Sequence, residues 1–361
     1  MAITIKSAVN VRSRVLIYSL LLFTGSAYAA DIAESTFLTR DIGNGLYEMS
    51  FDGKNNSLWA ASSSSFDRDK GHGIVYQLEP STLKTKSAVK IARLGFATAL
   101  DEEHERLYIG NTLDGSVTVI DTLTGKELSV IPLTEGQDEA HFRPTREMVI
   151  DKKNQRLYVS SAADKGALWV IDMAVGKKIK TIDGLGHAVT GIALNKNGDN
   201  IYLVNGDGEI INLDASSYEI KKRFVVEPEK KHFFLNVSLD EKNGRAFITD
   251  PDIPGVLVVD VNSGKILHRI DVINSLAILF NPLRNEIYIT HRNAKQVSIV
   301  DSNSYYVKTT IKTRLMPNSL SLSHDGENLY VSVKQEKKEM STMKDYILKI
   351  ELSKIAMEPE E

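Results

Sequence analysis

Residues 106–131 read RLYIGNTLDGSVTVIDTLTGKELSVI. Three short runs rich in β-branched and aromatic residues (Leu107–Gly110, Val117–Ile120 and Glu127–Ile131) are separated by the turn-forming Asn-Thr-Leu-Asp-Gly and Asp-Thr-Leu-Thr-Gly, which is the signature of strands joined by tight turns. The unit recurs at 156–182, 200–224, 245–270 and 286–311. Aligning its leading aromatic gives Trp59, Tyr108, Tyr158, Tyr202, Phe247, Tyr288 and Tyr330, at intervals of 49, 50, 44, 45, 41 and 42. A further strand precedes each aromatic, as at Ala97–Leu100 and Ser319–Leu322. Seven units of this length, four strands each, predict an all-β, seven-bladed β-propeller. Leucine-rich and helical solenoids need Asn-ladder or helical patterns that this chain lacks.

The seventh unit has strands at Ser319–Leu322, Leu329–Val333 and Tyr346–Leu352, but its tail, ending Met-Glu-Pro-Glu-Glu, makes a poor outer strand. Near the other end, Thr36–Ile42 is a strand-like segment with no place in the repeat. It is expected to complete the last blade and so close the ring without an open edge.

Upstream of the repeats lie the basic Lys6, Arg12 and Arg14, the apolar run Val15–Thr24 and Ala27-Tyr28-Ala29. This is the layout of a secretory signal peptide over residues 1–29, removed on export. The apolar run is too short to span a bilayer. The chain has no Cys, so it offers neither a lipid anchor on Cys nor a disulfide framework. The expected product is residues 30–361 as a single exported propeller domain in the periplasm, with no membrane anchor. No amphipathic helix or heptad pattern argues against a monomer. Cleavage removes three positive charges, taking the formal net charge from −3 to −6. That balance weighs against a general polyanion binder, which ordinarily carries a basic surplus.

The repeat resembles the YVTN type in degraded form, seen in Tyr108-Ile109-Gly110-Asn111 with Val119-Ile120-Asp121 and in Tyr202-Leu203-Val204-Asn205. More specific stretches include Gly45-Leu46-Tyr47-Glu48-Met49, His232-Phe233-Phe234, Thr290-His291-Arg292, Pro317-Asn318-Ser319-Leu320 and Tyr330-Val331-Ser332-Val333-Lys334. With these the whole mature chain resembles the exported bacterial propellers of the YncE family. The resemblance implies a periplasmic, non-enzymatic propeller, with single-stranded nucleic-acid binding among the activities associated with the group.

Where the repeat is broken, function is sought. The longest loops, Ser62–Gly73, Thr134–Arg146 and Lys334–Asp345, belong to the two connection types that open on one face of a propeller, and insertions gathered on one face mark a binding face. His72, His141, His187, His232 and His291 are assigned to loops on that face, while His104 and His324 fall on the opposite face and His268 in an outer strand. Five imidazoles at a channel mouth would suit a transition metal. No two of them have ligand spacing, however, so scattered surface histidines are the plainer reading.

The same face carries Arg68, Arg143, Arg146, Lys231, Arg292 and Lys334 with Phe66, Phe142, Phe233 and Phe234, and Asn111 opens the corresponding loop of the second blade. Basic groups interleaved with aromatics are the ingredients of a single-strand site. Asp67, Asp69, Asp138, Glu139, Glu227, Glu229 and Asp252 lie among them, which makes the face mixed rather than basic.

The recurrent Asp121, Asp172, Asp214, Asp260 and Asp301 each precede a turn and are expected to cap its amides. Nucleophile elbows, zinc motifs and phosphate loops are absent, and no cofactor is expected. The favoured reading is therefore a non-enzymatic binding or scaffold propeller that uses its channel mouth for single-stranded DNA, a peptide or an envelope protein. The alternative is a metal-assisted hydrolase of the lactonase type, with Asn111, His187 and Asp207 as the residues to inspect.

Overall fold

The computed structural model describes residues 30–63, 65, 67, 71–134, 142–336 and 343–355. The signal-peptide segment, Phe66, Arg68, Asp69, Asp138, Glu139 and His141 lie outside them. Seven antiparallel sheets follow one another round a central channel. Blade one is made of Leu46–Asp52, Ser57–Ser63, Gly73–Leu78 and Thr85–Ile91, in that order from the channel outward. Blades two to six repeat the pattern. Blade seven takes Met316–Leu322, Asn328–Lys334 and Asp345–Glu351 from the end of the chain, and its outermost strand is Leu38–Gly43. Leu38 pairs with Lys349 and Tyr346 with Asp41, so the two ends of the chain close the ring by main-chain hydrogen bonds, as expected from Thr36–Ile42.

One strand was not anticipated. Ala30–Ala33 runs parallel to Val307–Lys312 and becomes a fifth strand of blade six. A 3-10 turn at Glu34–Thr36 then carries the chain across to blade seven. Glu34 anchors that crossing by accepting from Arg314 Nε and Tyr346 Oη. Asp345 is a second clasp: its carboxylate accepts from the amides of Gly45 and Leu46, both at 2.7 Å, and of Gln335 at 2.9 Å. The first strand of blade one is thereby tied to the last blade.

The hydrophobic effect acts mainly between blades. Second-strand aromatics leave their own sheet to pack on the next one: Trp59 lies against Leu107, Ile109 and Ile120 of blade two, and Tyr330 against Leu46 and Met49 of blade one. Burying an aromatic of this size contributes about 2–3 kcal/mol. Their polar ends need partners. Trp59 Nε1 donates to Asp52 and Tyr158 Oη to Asp151, carboxylates that also cap the first hairpin of their blades. The third-strand acids behave as the turn chemistry requires. Asp121, Asp172, Asp214, Asp260 and Asp301 each accept the amides two and three residues on.

Near the axis the inner strands are neighbours but not a continuous sheet, so side chains satisfy part of their backbone. Glu48 of blade one accepts from Thr98 N of blade two, Glu147 of blade three from Ile192 N of blade four, and Ser319 of blade seven donates to Tyr47 O of blade one. The channel is thus lined with polar groups for a backbone reason, before any ligand is considered.

Candidate functional site

The channel itself forms a cavity of about 720 Å³, lined by Tyr47, Glu48, Phe96, Arg146, Glu147, Arg292, Asn318 and Lys334 among others. Arg292 follows directly on the second strand of blade six, Lys334 ends that of blade seven, and Arg146 is the second residue of the inner strand of blade three. Three of the expected basic residues therefore converge, because the ends and starts of these strands all face the mouth.

The three cations are not equivalent. Arg146 Nη1 lies 3.3 Å from Glu48 Oε1, its Nη2 is 3.5 Å from Asn236 Oδ1 and 3.9 Å from Glu147 Oε1. Its charge is met within the wall. Arg292 donates to Asn318 Oδ1 at 2.9 Å, and its buried Nε has no acceptor among the described residues. Lys334, 8% exposed, holds its Nζ 3.3 Å above the centroid of the Tyr47 ring, a cation–π contact. Among the described residues neither Arg292 nor Lys334 forms an ion pair with a carboxylate. The Asp345 carboxylate is nearby, but its oxygens serve the three amides of the clasp.

This arrangement displaces the ionisation of the whole cluster. Burial pushes Lys334 down to about 7, the neighbouring Arg292 charge pushes the same way, and Asp345 opposes both. Arg292 is lowered by burial as well. Burial pushes Glu147 up to about 8 against the pull of Arg146, with Glu48 adding to the rise. Glu48 is also raised by burial, and Tyr47 is raised well beyond an ordinary phenol. Perturbed groups gathered in one concave site are the usual mark of a functional position.

The remaining expected residues lie elsewhere. Arg143 pairs with Asp183 at 2.6 Å and, with His187 and Asp207, borders a separate hollow of about 460 Å³ on the rim of blades three and four. His187 Nδ1 is 3.7 Å from the exposed Asp164, and its ring stands edge-on to half-buried Phe233. His72 lines a third hollow with Tyr76 and Lys344. Lys231 is exposed.

Two histidines expected in surface loops are instead interior. His232 is clamped between Asp250 at 2.8 Å and Glu227 at 3.1 Å. His291 ends a strand, is 1% exposed, bonds Asn274 O and Ser298 Oγ, and is pushed down to about 4 by burial. Both fix loops from within, so among the described residues no ring of imidazoles surrounds the mouth. Asn111 is likewise sealed in blade two on Ser116 and Thr118, apart from His187 and Asp207. Among the described residues no three His, Asp or Glu side chains come together as a metal-holding set.

No family model matches the chain. Over 348 residues it is 40% identical to the "Uncharacterized protein YncE" of Salmonella typhimurium strain LT2, and 39% identical to the protein of the same description from Escherichia coli K12. Each alignment covers 95% of this chain and 98% of the relative. The chain belongs to the YncE family. Among solved structures, this YncE-family propeller is similar in fold to hydrazine synthase of Kuenenia stuttgartiensis, with a TM-score of 0.70 over 86% of this chain and 96% of the other at 17% identity. That likeness concerns the fold alone.

Tyr47, Glu48 and Asn318 were missed as site residues when the sequence was read, yet a signal for them existed. The short stretches that carry the YncE resemblance contribute Tyr47 and Glu48, Arg292, Asn318, and Lys334 to one cavity. Glu147 lies in none of those stretches and carries no such signal.

Proposed function

We propose that this protein is a non-enzymatic binding propeller of the periplasm, exported by residues 1–29, which holds single-stranded nucleic acid at its channel mouth. The observation that carries this reading is the convergence of Arg146, Arg292 and Lys334 on one cavity, with the last two lacking a carboxylate partner among the described residues. Cations kept inside a fold without acids invite an anion from outside. Tyr47 and Phe96 line the same cavity, their ring centroids 4.5 Å apart, and aromatic surface beside phosphate-binding cations is how single strands are held without sequence readout.

The test is binding of a fluorescently labelled 12-base oligonucleotide followed by anisotropy. Three phosphate contacts would give a slope of about −2 in log affinity against log salt, and Arg292→Ala should weaken binding roughly tenfold, about 1.4 kcal/mol. Indifference to both salt and Arg292→Ala would overturn the reading. Metal analysis of untagged protein addresses the hydrolase alternative directly, since a stoichiometric ion would favour it.

A further inference from the structure

Within the channel mouth the charges are distributed unevenly, and the asymmetry has a chemical meaning. On the side of blades one and three, Arg146 is engaged by Glu48, Glu147 and Asn236. On the side of blades six and seven, Arg292 and Lys334 face the same space, and among the described residues each is bound by a neutral group: an amide oxygen for the first, an aromatic face for the second. Two like charges held close in a partly dehydrated wall repel one another. The Asp345 carboxylate, which acts on Lys334 from nearby, already accepts from three backbone amides.

We infer that Arg292 and Lys334 form a discrete oxyanion subsite, which takes a single carboxylate or sulfate-like group from solution and releases it as the surroundings turn alkaline. The inference deepens the channel-mouth reading above, resting on the same cavity, but it does not require a nucleic acid. Arg292 supplies a guanidinium whose Nη2 donates to the neutral Asn318 Oδ1 and whose Nε is buried without an acceptor among the described residues, so its charge is left for an anion to meet. Lys334 supplies a point charge above Tyr47. The groups that face Lys334 are Tyr47 from the inner strand of blade one, Arg292 from blade six and Asp345 at the start of the next strand of its own blade. Arg146, Glu48 and Glu147 line the same cavity, and the Arg146 charge acts on Arg292.

The sign of the pH response follows from these neighbours. Lys334 loses its proton near neutrality and Glu147 gains a negative charge at slightly higher pH. Both changes remove positive potential from the cavity between pH 6 and 9. An anion arriving between Arg292 and Lys334 relieves their repulsion and favours the charged amine. Binding at pH 7 should therefore take up about half a proton, since Lys334 is then close to half-charged.

Calorimetric titration with sulfate and, separately, acetate tests this in low-chloride buffer. Sulfate keeps its charge across the range, so any pH response belongs to the protein. Millimolar binding is expected, at least tenfold tighter at pH 6 than at pH 9, with proton uptake at pH 7 read from the dependence of the heat on buffer. Arg292→Gln should weaken it at least tenfold, and Arg292→Lys should recover part of the loss. Lys334→Arg should keep binding at pH 9 and abolish the proton uptake. Tighter binding of sulfate than acetate would assign the site to tetrahedral anions, and the reverse to carboxylates.

Equal binding by wild type, Arg292→Gln and Lys334→Arg, an adventitious ion only, would overturn the subsite, as would no binding of either anion. Competition separates this from the nucleic-acid reading. If the oligonucleotide binds but sulfate neither binds nor displaces it beyond the effect of ionic strength, the subsite alone fails. If sulfate binds with the expected pH response and the oligonucleotide does not, the nucleic-acid reading alone fails.

Discussion

The closure seam and the channel mouth both bury charge, and they handle it in opposite ways. At the seam, Asp345 has three amide donors and Glu34 has Arg314 and Tyr346. At the mouth, Arg292 and Lys334 have an amide oxygen and a ring face. A charge whose hydrogen bonds are complete strengthens the fold in which it sits, and removing its partner exposes a penalty. A cation held without an acid costs stability, and removing it relieves the fold. The difference marks the seam as structure and fits the binding role proposed above for the mouth, where stability would be given up.

The most severe way to break that contrast is at the seam. Deleting residues 30–43 removes the outer strand of blade seven, the fifth strand of blade six and Glu34 together. The melting midpoint should fall by roughly 10 °C or more; an unchanged melting curve would mean that the ring does not depend on its terminal strands. A smaller seam lesion is Asp345→Ala, which leaves three buried amides without an acceptor and should cost about 3 kcal/mol in denaturant unfolding. A cost below about 1 kcal/mol would show that water replaces the carboxylate.

Why the seam was half legible in the sequence, and the mouth hardly at all, follows from the same physics. The spacing from Trp59 to Tyr330 and the period-two alternation report the blades directly, because every blade must solve the same packing problem. Thr36–Ile42 could be recognised as the missing strand because a ring has one vacancy. Ala30–Ala33 could not, since a fifth strand answers no requirement of the repeat. At the mouth, Arg146, Arg292 and Lys334 were legible as basic residues near strand ends. Their unequal partners were not, because Glu48 is 98 residues from Arg146 and Asn318 is 26 from Arg292. His232 and His291 misled for the reverse reason: their type suggests a ligand, but Asp250, Glu227, Asn274 and Ser298 had already engaged them.

The mouth gives the opposite stability result to the seam. Lys334→Met keeps the length of the stem and removes the charge, so thermal stability at pH 6 should rise by about 1 kcal/mol, while sulfate binding is lost. Burial holds the folded-state value of Lys334 near 7, below that of the unfolded chain. The wild type therefore gains stability relative to Lys334→Met as pH rises above 7, and the advantage of the variant should shrink toward pH 10. A variant less stable than wild type at pH 6 would place Lys334 with the structural charges of the seam.

Glu147→Gln gives the smallest effect and distinguishes the two sides of the mouth itself. The folded-state value of Glu147 is raised to about 8 by burial, above the ordinary carboxyl range near 4.3. The native state therefore favours the protonated acid; that stability is full below the unfolded value and is lost as pH rises through the folded one. Gln imitates the protonated form and still offers an oxygen to Ile192 N, the bond that Glu147 makes at 3.2 Å. Wild type and Glu147→Gln should accordingly melt together at pH 5 and diverge upward to pH 9, where the variant is more stable by roughly 1 kcal/mol. The divergence runs against that of Lys334→Met, which fades over the same range. Two buried groups facing one cavity would then pull stability in opposite directions with pH while pulling anion affinity in the same direction. A Glu147→Gln difference that is constant from pH 5 to 9 would show instead that Arg146 keeps Glu147 ionised throughout, making that side of the mouth a fully compensated wall like the seam.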